Sequence, residues 1–337
     1  MPSRKQSQLV AYQYLVTSGV LWGLVALFYK QGLAALSISL FLVLRFSVGA
    51  IGIYVSQRHR FKKLSIRILG LLTAFALIDA VAINYIYSFA IQRTSLLHAS
   101  IILLATPFFV YFFAALLLKE RPHKIVLIGS IVAATGLALI VLFGANQSAG
   151  AAQTAVGDSV MLLYAIVNAF TIVLGRKLLS KKKQLAPEQL AFIEYAVAAM
   201  VIGLVLTVLG GWSELATITI PTWGWVVAAG IIGGALPILL YYKSVKRLPA
   251  ERLADITFIS PAVAGVVGVV FLGEALSSIF VIGTTLVVVG LLIGHDKIHP
   301  VVTAHKLGTD LATIGSIFKV PKKAYEYISA ETRKFGL

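Results

Sequence analysis

Ten apolar runs, each roughly 18 to 25 residues long, dominate this chain, and they leave it few ways to fold. They cover approximately residues 10–29, 37–56, 67–91, 96–118, 124–144, 157–178, 188–210, 222–243, 253–272 and 278–295, numbered spans 1 to 10. A run of that length crosses the hydrocarbon core of a bilayer as a helix. No water is available there, so every backbone N–H and C=O must find a partner inside the chain, which a helix provides. The alternation of an outer-membrane barrel strand is absent. Only 12% of the 337 residues are charged, against about 25% in soluble domains. The expected fold is therefore all-α and integral to a membrane. The first run is full length, and no clear small-residue cleavage site follows it, so it reads as a span and not as a cleavable signal peptide.

Charge sets the expected orientation. With the N-terminus inside, 26 of the 29 Lys and Arg fall in or beside the inner segments, including seven in the tail after span 10. The exceptions are Lys30 and Arg93 in outer loops and Arg45 within span 2. Basic residues concentrate on the cytoplasmic side of membrane proteins, so both termini are expected there, in a cytoplasmic (inner) membrane. This asymmetry accounts for the net charge of +16 through anionic lipid headgroups, with no nucleic acid required. The chain has no cysteine, which excludes disulfides and thiol chemistry.

The chain also repeats itself. "TPFFVYFFAALLLKE" (Thr106 to Glu120) and "SPAVAGVVGVVFLGE" (Ser260 to Glu274) lie 154 residues apart. The same offset relates Tyr87 to Tyr241, Arg93 to Arg247, Gly129 to Gly283 and Gly136 to Gly290. Earlier in each half the match loosens, and "LWGLVALFYK" sits best over "VNAFTIVLGR". Each half holds five spans. Five is odd, so the second half enters the membrane the opposite way round. The expectation is ten transmembrane helices in two inverted-topology five-helix repeats, the plan by which many secondary transporters alternate access around a midplane site.

With the "LWG" of Leu21–Gly23 and the "LRF" of Leu44–Phe46, the repeated proline segments resemble the EamA-type drug/metabolite transporters. The resemblance covers about residues 10–295. It implies a central cavity lined by spans 1, 3, 4, 6, 8 and 9, and small organic solutes, amino acids or related metabolites first, as cargo for export. The expected organisation is a cytoplasmic N-terminus (1–9), a first repeat (10–144), an outer linker (145–156), a second repeat (157–295) and a basic amphipathic tail (296–337).

Candidate site residues follow from polarity in an apolar setting. Asp79 in span 3 stands out, since an ionisable group inside a membrane span is costly and therefore usually functional. It is expected to hold a positive group on the substrate or a proton, the alternative being a structural pair with Arg45. Glu194 in span 7 is a second candidate for proton coupling, or a group that reaches the headgroups. Trp22 in span 1 and Tyr164 and Asn168 in span 6 fall on polar-aromatic stripes, Asn84 and Tyr87 lie on the polar half of span 3, and Tyr241 is the repeat counterpart of Tyr87; all six are expected to shape the cavity, and for Tyr14 and Tyr29 the alternative is interfacial anchoring. Pro107 and Pro261 remove a backbone hydrogen bond near mid-membrane and free the carbonyls of Leu103 and Thr257; the symmetric duplication favours a gating bend at the cavity, the alternative being a packing kink. Asp255 and His98 fit helix starts. Glu120 and Glu274 are read as structural acceptors at the start of the following helix, and the glycine pairs as close-packing faces within the chain or in a homodimer. In the tail, Leu307, Leu311, Ile314 and Phe318 make an apolar stripe beside Lys306 and Lys319, which suits a helix lying on the membrane surface. No Walker A sequence, nucleophile elbow or metal-spaced cluster occurs, so no enzyme activity, cofactor or metal is expected. The expected partners are a small-molecule substrate and membrane lipids. A lipid or lipid-linked sugar translocase on the same scaffold is the rival reading.

Overall fold

The computed structural model describes residues 4–118, 124–143, 151–181, 186–245, 256–274 and 278–295. Among these residues every regular element is helical. The long helices are α1 (Arg4–Leu33), α2 (Ile38–Gln57), α7 (Lys124–Phe143), α8 (Ala151–Lys181), α9 (Pro187–Val208), α12 (Ile256–Leu272) and α13 (Ser278–His295). Three spans are compound. Span 3 is α3 (Ile66–Ala76), a π segment (Leu77–Ala82) and α4 (Ile83–Ile91). Span 4 is α5 (Leu96–Leu103) and α6 (Thr106–Leu118). Span 8 is α10 (Ile220–Val227), a second π segment (Ala228–Ala235) and α11 (Leu236–Val245).

Seven of these stretches are long and apolar enough to cross a membrane: Val10–Leu33, Ile38–Arg60, Ile66–Ile91, Leu96–Leu117, Thr154–Gly175, Pro187–Val208 and Ile220–Ser244. Spans 9 and 10 contain shorter apolar stretches, Ile259–Leu272 and Val281–Gly290, and span 5 coincides with α7. The Ala-rich start of α8 makes 151–156 helical, part of the stretch expected as linker, because alanine is the strongest helix former. Glu120, Arg247, Asp255, the linker residues 145–150 and the tail stripe from Lys306 to Lys319 lie outside the described residues.

Local chemistry explains the helix ends. Ser37, Ser65, Ser95 and Thr219 each sit in an extended conformation before a helix and accept a backbone N–H from its first turn. Such caps satisfy donors that would otherwise be orphaned near the membrane surface. At the far end of α12, Gly273 takes φ 65, a left-handed conformation that costs glycine nothing, and turns the chain so that the Glu274 N–H returns to the Gly268 carbonyl.

The burial pattern inverts that of a soluble helix. On α9, Met200, Leu204 and Val208 form one face with 65–77% exposure, while Glu194 on another face is only 2% exposed. The open apolar face suits contact with lipid, and the charge turns inward.

The spans pair widely in sequence: α1 with α11 and α12, α8 with α4, α5 and α6, α2 with α9, and α5 with α12. The most extensive contact joins α7 to α13. There a methyl group on Gly136 would strike the Gly283 carbonyl, and one on Gly290 would strike the Gly129 carbonyl. The 154-residue offset exchanges these two contacts. Lipid offers no hydrophobic drive for helix association, so close backbone approach through small residues holds such pairs. The glycine faces expected to serve internal packing or a homodimer therefore meet each other inside the chain.

Candidate functional site

Most of the polar side chains inside the bundle converge on spans 1, 2, 3, 6, 7 and 8. Arg45 on α2 is 4% exposed. Its Nη1 donates to the Tyr29 hydroxyl and, at 2.8 Å, to Asn84 Oδ1. The Tyr29 hydroxyl donates to the same Asn84 oxygen at 2.7 Å. Asn84 Nδ2 donates back to the Ala80 carbonyl at 2.9 Å, which fixes the amide against the π segment. The guanidinium carbon lies 4.9 Å from the Tyr29 ring centre and 4.6 Å from that of Phe46, so both ring faces bear on the cation. Arg45 Nε is buried without a partner.

Aromatic rings extend this cluster. Tyr87 meets Tyr29 edge-on at 5.0 Å and Tyr164 at 5.0 Å, while Tyr195 stands edge-on to Phe46 at 5.0 Å. Toward span 8, Trp22 lies 5.3 Å from Tyr241, which lies 5.6 Å from Tyr242. Offset and edge-on contacts of this kind stiffen a wall while leaving its hydroxyls free to bond.

Two carboxylates occupy the other side. Asp79 sits in the π segment of span 3, with the Thr171 hydroxyl of α8 as its side-chain partner. Glu194 accepts the Tyr242 hydroxyl at 2.8 Å. Asp79 is close enough to Glu194, Tyr164, Tyr241 and Tyr242 to act on each electrostatically. Among the described residues neither carboxylate pairs with a Lys, Arg or His.

These positions change three readings. Asp79 and Arg45 are both near mid-span, but they bond to different partners. Glu194 is held by Tyr242 deep in the bundle and does not extend to the headgroups, because the hydroxyl of span 8 faces it there. Tyr29 is 1% exposed and braces Arg45, so it is no interfacial anchor. The structure brings Asn84, Tyr87 and Tyr164 into one cluster and Trp22 and Tyr241 into the adjoining one. Asn168, half-buried on α8, lies one turn from Tyr164. Sequence reasoning did not find the Glu194–Tyr242 pair or the buried Asp158. The aromatic side chain of Tyr242 resembled core, and Asp158 lies at a span end where carboxylates are unremarkable.

Pro107 and Pro261 occupy different settings. At Pro107 span 4 is broken. Leu104, Ala105 and Phe108 each bond three residues back, to Ile101, Ile102 and Ala105, which tightens the turn. Pro261 lies inside the continuous helix α12. Beside it, Gly23 of the "LWG" motif lets α1 approach so closely that an added methyl would sit 2.7 Å from the Ser260 carbonyl oxygen and 2.5 Å from Val263 Cβ.

Each end of the bundle is tied by ionic and amide contacts. Glu274 accepts the N–H groups of Leu96 and Leu97 at 2.8 Å each and lies 3.8 Å from Lys30 Nζ. The carboxylate therefore caps span 4, in the other half of the chain, and not the helix that follows it. Asp158 accepts the Thr94 hydroxyl and meets His98 Nδ1 at 2.8 Å. Together these contacts link spans 1, 4, 6 and 9 at one end. At the opposite end Arg60 pairs with Glu188 at 2.8 Å, and Gln189 exchanges hydrogen bonds with the backbone of Lys62.

Comparison with known proteins returns transporters. The EamA-like transporter family matches residues 9–142 and 155–293. An uncharacterized transporter of Bacillus subtilis, YcxC, is 25% identical over 86% of this chain and 93% of its own length. A second from the same organism, YojE, is 26% identical over 79% of this chain and 86% of its length. An uncharacterized transporter of Clostridium kluyveri is 24% identical over 62% of this chain, which spans 66% of that relative. One solved structure superposes with a TM-score of 0.61 at 20% identity, over 90% of this chain and 99% of that one, a likeness of fold alone.

Proposed function

The chain belongs to the EamA-like transporter family and is a multi-pass membrane protein, and on that premise we propose that it is a secondary transporter that exports small organic solutes, amino acids or related metabolites, across the cytoplasmic membrane by alternating access. The observation that carries the reading is the bundle centre. One buried guanidinium and two carboxylates sit among tyrosines there without neutralising one another. Such groups are costly in a membrane interior, and a polar solute that bonds to them offsets that cost.

The mechanism follows from the same parts. Trp22, Asn84, Tyr87, Tyr164, Asn168 and Tyr241 shape the solute site, Asp79 holds a positive group or a proton, and Glu194 is a second proton carrier. Two inverted five-helix halves rock about the site. The reciprocal glycine contacts of α7 and α13 and the π segments at corresponding places in spans 3 and 8 support this plan. The break at Pro107 is a hinge in span 4. The contacts of Lys30, Glu274, His98 and Asp158 close the outer end, with both termini cytoplasmic as the basic loops require.

The test is uptake into proteoliposomes of labelled amino acids and polar metabolites, with and without a pH gradient. Saturable uptake of one class supports the reading, and a gradient effect that Asp79→Asn abolishes supports proton coupling at Asp79.

A second reading rests on a cleft of about 380 Å³ between spans 4 and 9, lined by Leu97, Ile101, Leu104, Pro261, Val266 and their neighbours and almost wholly apolar. An acyl chain fits such a cleft, as a lipid translocase requires. Movement of labelled lipid between leaflets without solute uptake would move this reading ahead of the first.

A further inference from the structure

We infer that Arg45 is the anion-recognition residue of the transport site and that it takes a carboxylate carried by the solute. This inference rests on the solute-transport reading above and gives it a chemical handle.

A guanidinium in mid-span is among the most expensive groups a membrane protein can bury, and side chains of this kind are retained where they pair or meet a ligand. Arg45 has five N–H donors. Its direct partners are the neutral oxygens of Tyr29 and Asn84, with the Tyr195 hydroxyl beside them, and two aromatic faces, and Nε has none. None of these carries a formal negative charge. The chain does hold two carboxylates nearby, but Asp79 is engaged with Thr171 and Glu194 with Tyr242. Among the described residues the positive charge of the cluster is therefore left without a directly paired counter-ion, and a planar guanidinium is suited to receive a carboxylate through two parallel bonds.

The surroundings fit the same guest. The hydroxyls of Tyr164 and Tyr195 can rotate to donate to an incoming oxygen, and Tyr29 can do so by giving up its bond to Asn84. Tyr164 is within electrostatic reach of both the negative Asp79 and the positive Arg45, so charges of both signs bear on the same site. A solute bearing a carboxylate at one end and an ammonium at the other matches that polarity. A purely structural strut between spans 1, 2 and 3 would need only the two Nη1 bonds. The two ring faces use the charge but do not neutralise it, and a strut built on the Nη1 bonds alone could be made with a glutamine.

The experiment compares wild type with Arg45→Gln and Arg45→Lys, each first checked for monodispersity and melting temperature in detergent. Ligand-induced stabilisation is measured with sodium butyrate, L-leucine and isoamylamine at constant ionic strength. Uptake of labelled L-leucine and L-phenylalanine is then followed in proteoliposomes. In the wild type, butyrate and leucine stabilise and isoamylamine does so less. Arg45→Gln weakens the carboxylate ligands by ~10- to 100-fold, as expected for loss of a charge-assisted bond, and leaves the amine unchanged. Arg45→Lys, which keeps the charge but loses the fork, falls between them. Equal response of wild type and Arg45→Gln to butyrate, or no response of the wild type to either carboxylate, overturns the assignment. Carboxylate binding that depends on Arg45 without uptake of any solute would instead leave Arg45 standing and sink the transport reading. Should Arg45→Gln prove unstable, Arg45→Lys alone decides, since a residue that only braces helices would not change the ratio of carboxylate to amine affinity.

Discussion

The contact between α7 and α13 and the polar centre of the bundle obey opposite rules. In the first, the 154-residue offset preserves the residues that touch: Gly129 and Gly283, Gly136 and Gly290. In the second it does not. Asp79 corresponds to Gly233 and Asn84 to Ile238, although Tyr87 keeps its counterpart Tyr241. Span 2 carries an arginine where span 7 has none, and span 7 carries glutamates where span 2 has no carboxylate. Close backbone packing is a geometric demand that both halves meet in the same way. Recognition of an asymmetric solute is not, so charge accumulates where the halves differ.

The comparison is broken most readily at the glycines. Gly136→Leu or Gly290→Leu drives a side chain into a facing backbone that has no rotamer to yield. We expect loss of about 3 kcal/mol or more, read as a collapse of folded yield and melting temperature. If either variant is as stable as wild type, the α7–α13 contact is not scaffold. At the centre the expected pattern is reversed. Asp79→Asn should lower solute uptake more than ~10-fold while the melting temperature stays within a few degrees, because the amide still bonds Thr171 but carries no charge. Uptake unchanged at every pH tested would remove Asp79 from the site. Glu194→Gln sharpens the contrast between the two carboxylates. Its amide oxygen still accepts from Tyr242, so a fall in proton-driven uptake with normal exchange of solute would mark Glu194 as the coupling group, and no change would mark it as structural.

Smaller effects are expected at the bundle end. Glu274→Gln keeps one acceptor for the Leu96 and Leu97 amides and should cost about 1 kcal/mol, seen as a modest drop in melting temperature. Lys30→Ala removes a 3.8 Å pair whose lysine is 26% exposed and should cost less than ~1 kcal/mol. Equal losses for Lys30→Ala and Glu274→Gln would show that the ion pair, which both variants remove, and not the helix cap, holds spans 1 and 9 together.

Much of this molecule was legible in one dimension. Apolar length identifies the spans because lipid tolerates only backbone that bonds itself. The glycine spacing foretold close packing, and Asp79 stood out because a lone charge in an apolar run has no local explanation. The polar stripes of spans 1 and 6 and the polar half of span 3 were visible, but not the partners they would meet.

Those partners were decided by tertiary structure. Arg45 and Asp79 attract one another on paper, yet Arg45 is met by Tyr29 and Asn84, and Asp79 by Thr171. Glu194 bonds a tyrosine 48 residues away, and Glu274 caps a helix that begins 178 residues earlier. The two proline segments, alike in sequence, become a break in span 4 and a continuous helix in span 9. Periodicity and apolar length are properties of neighbouring residues, so the chain displays them directly. Which hydroxyl meets which charge depends on how distant helices rotate against each other, and that is set only when all of them are packed.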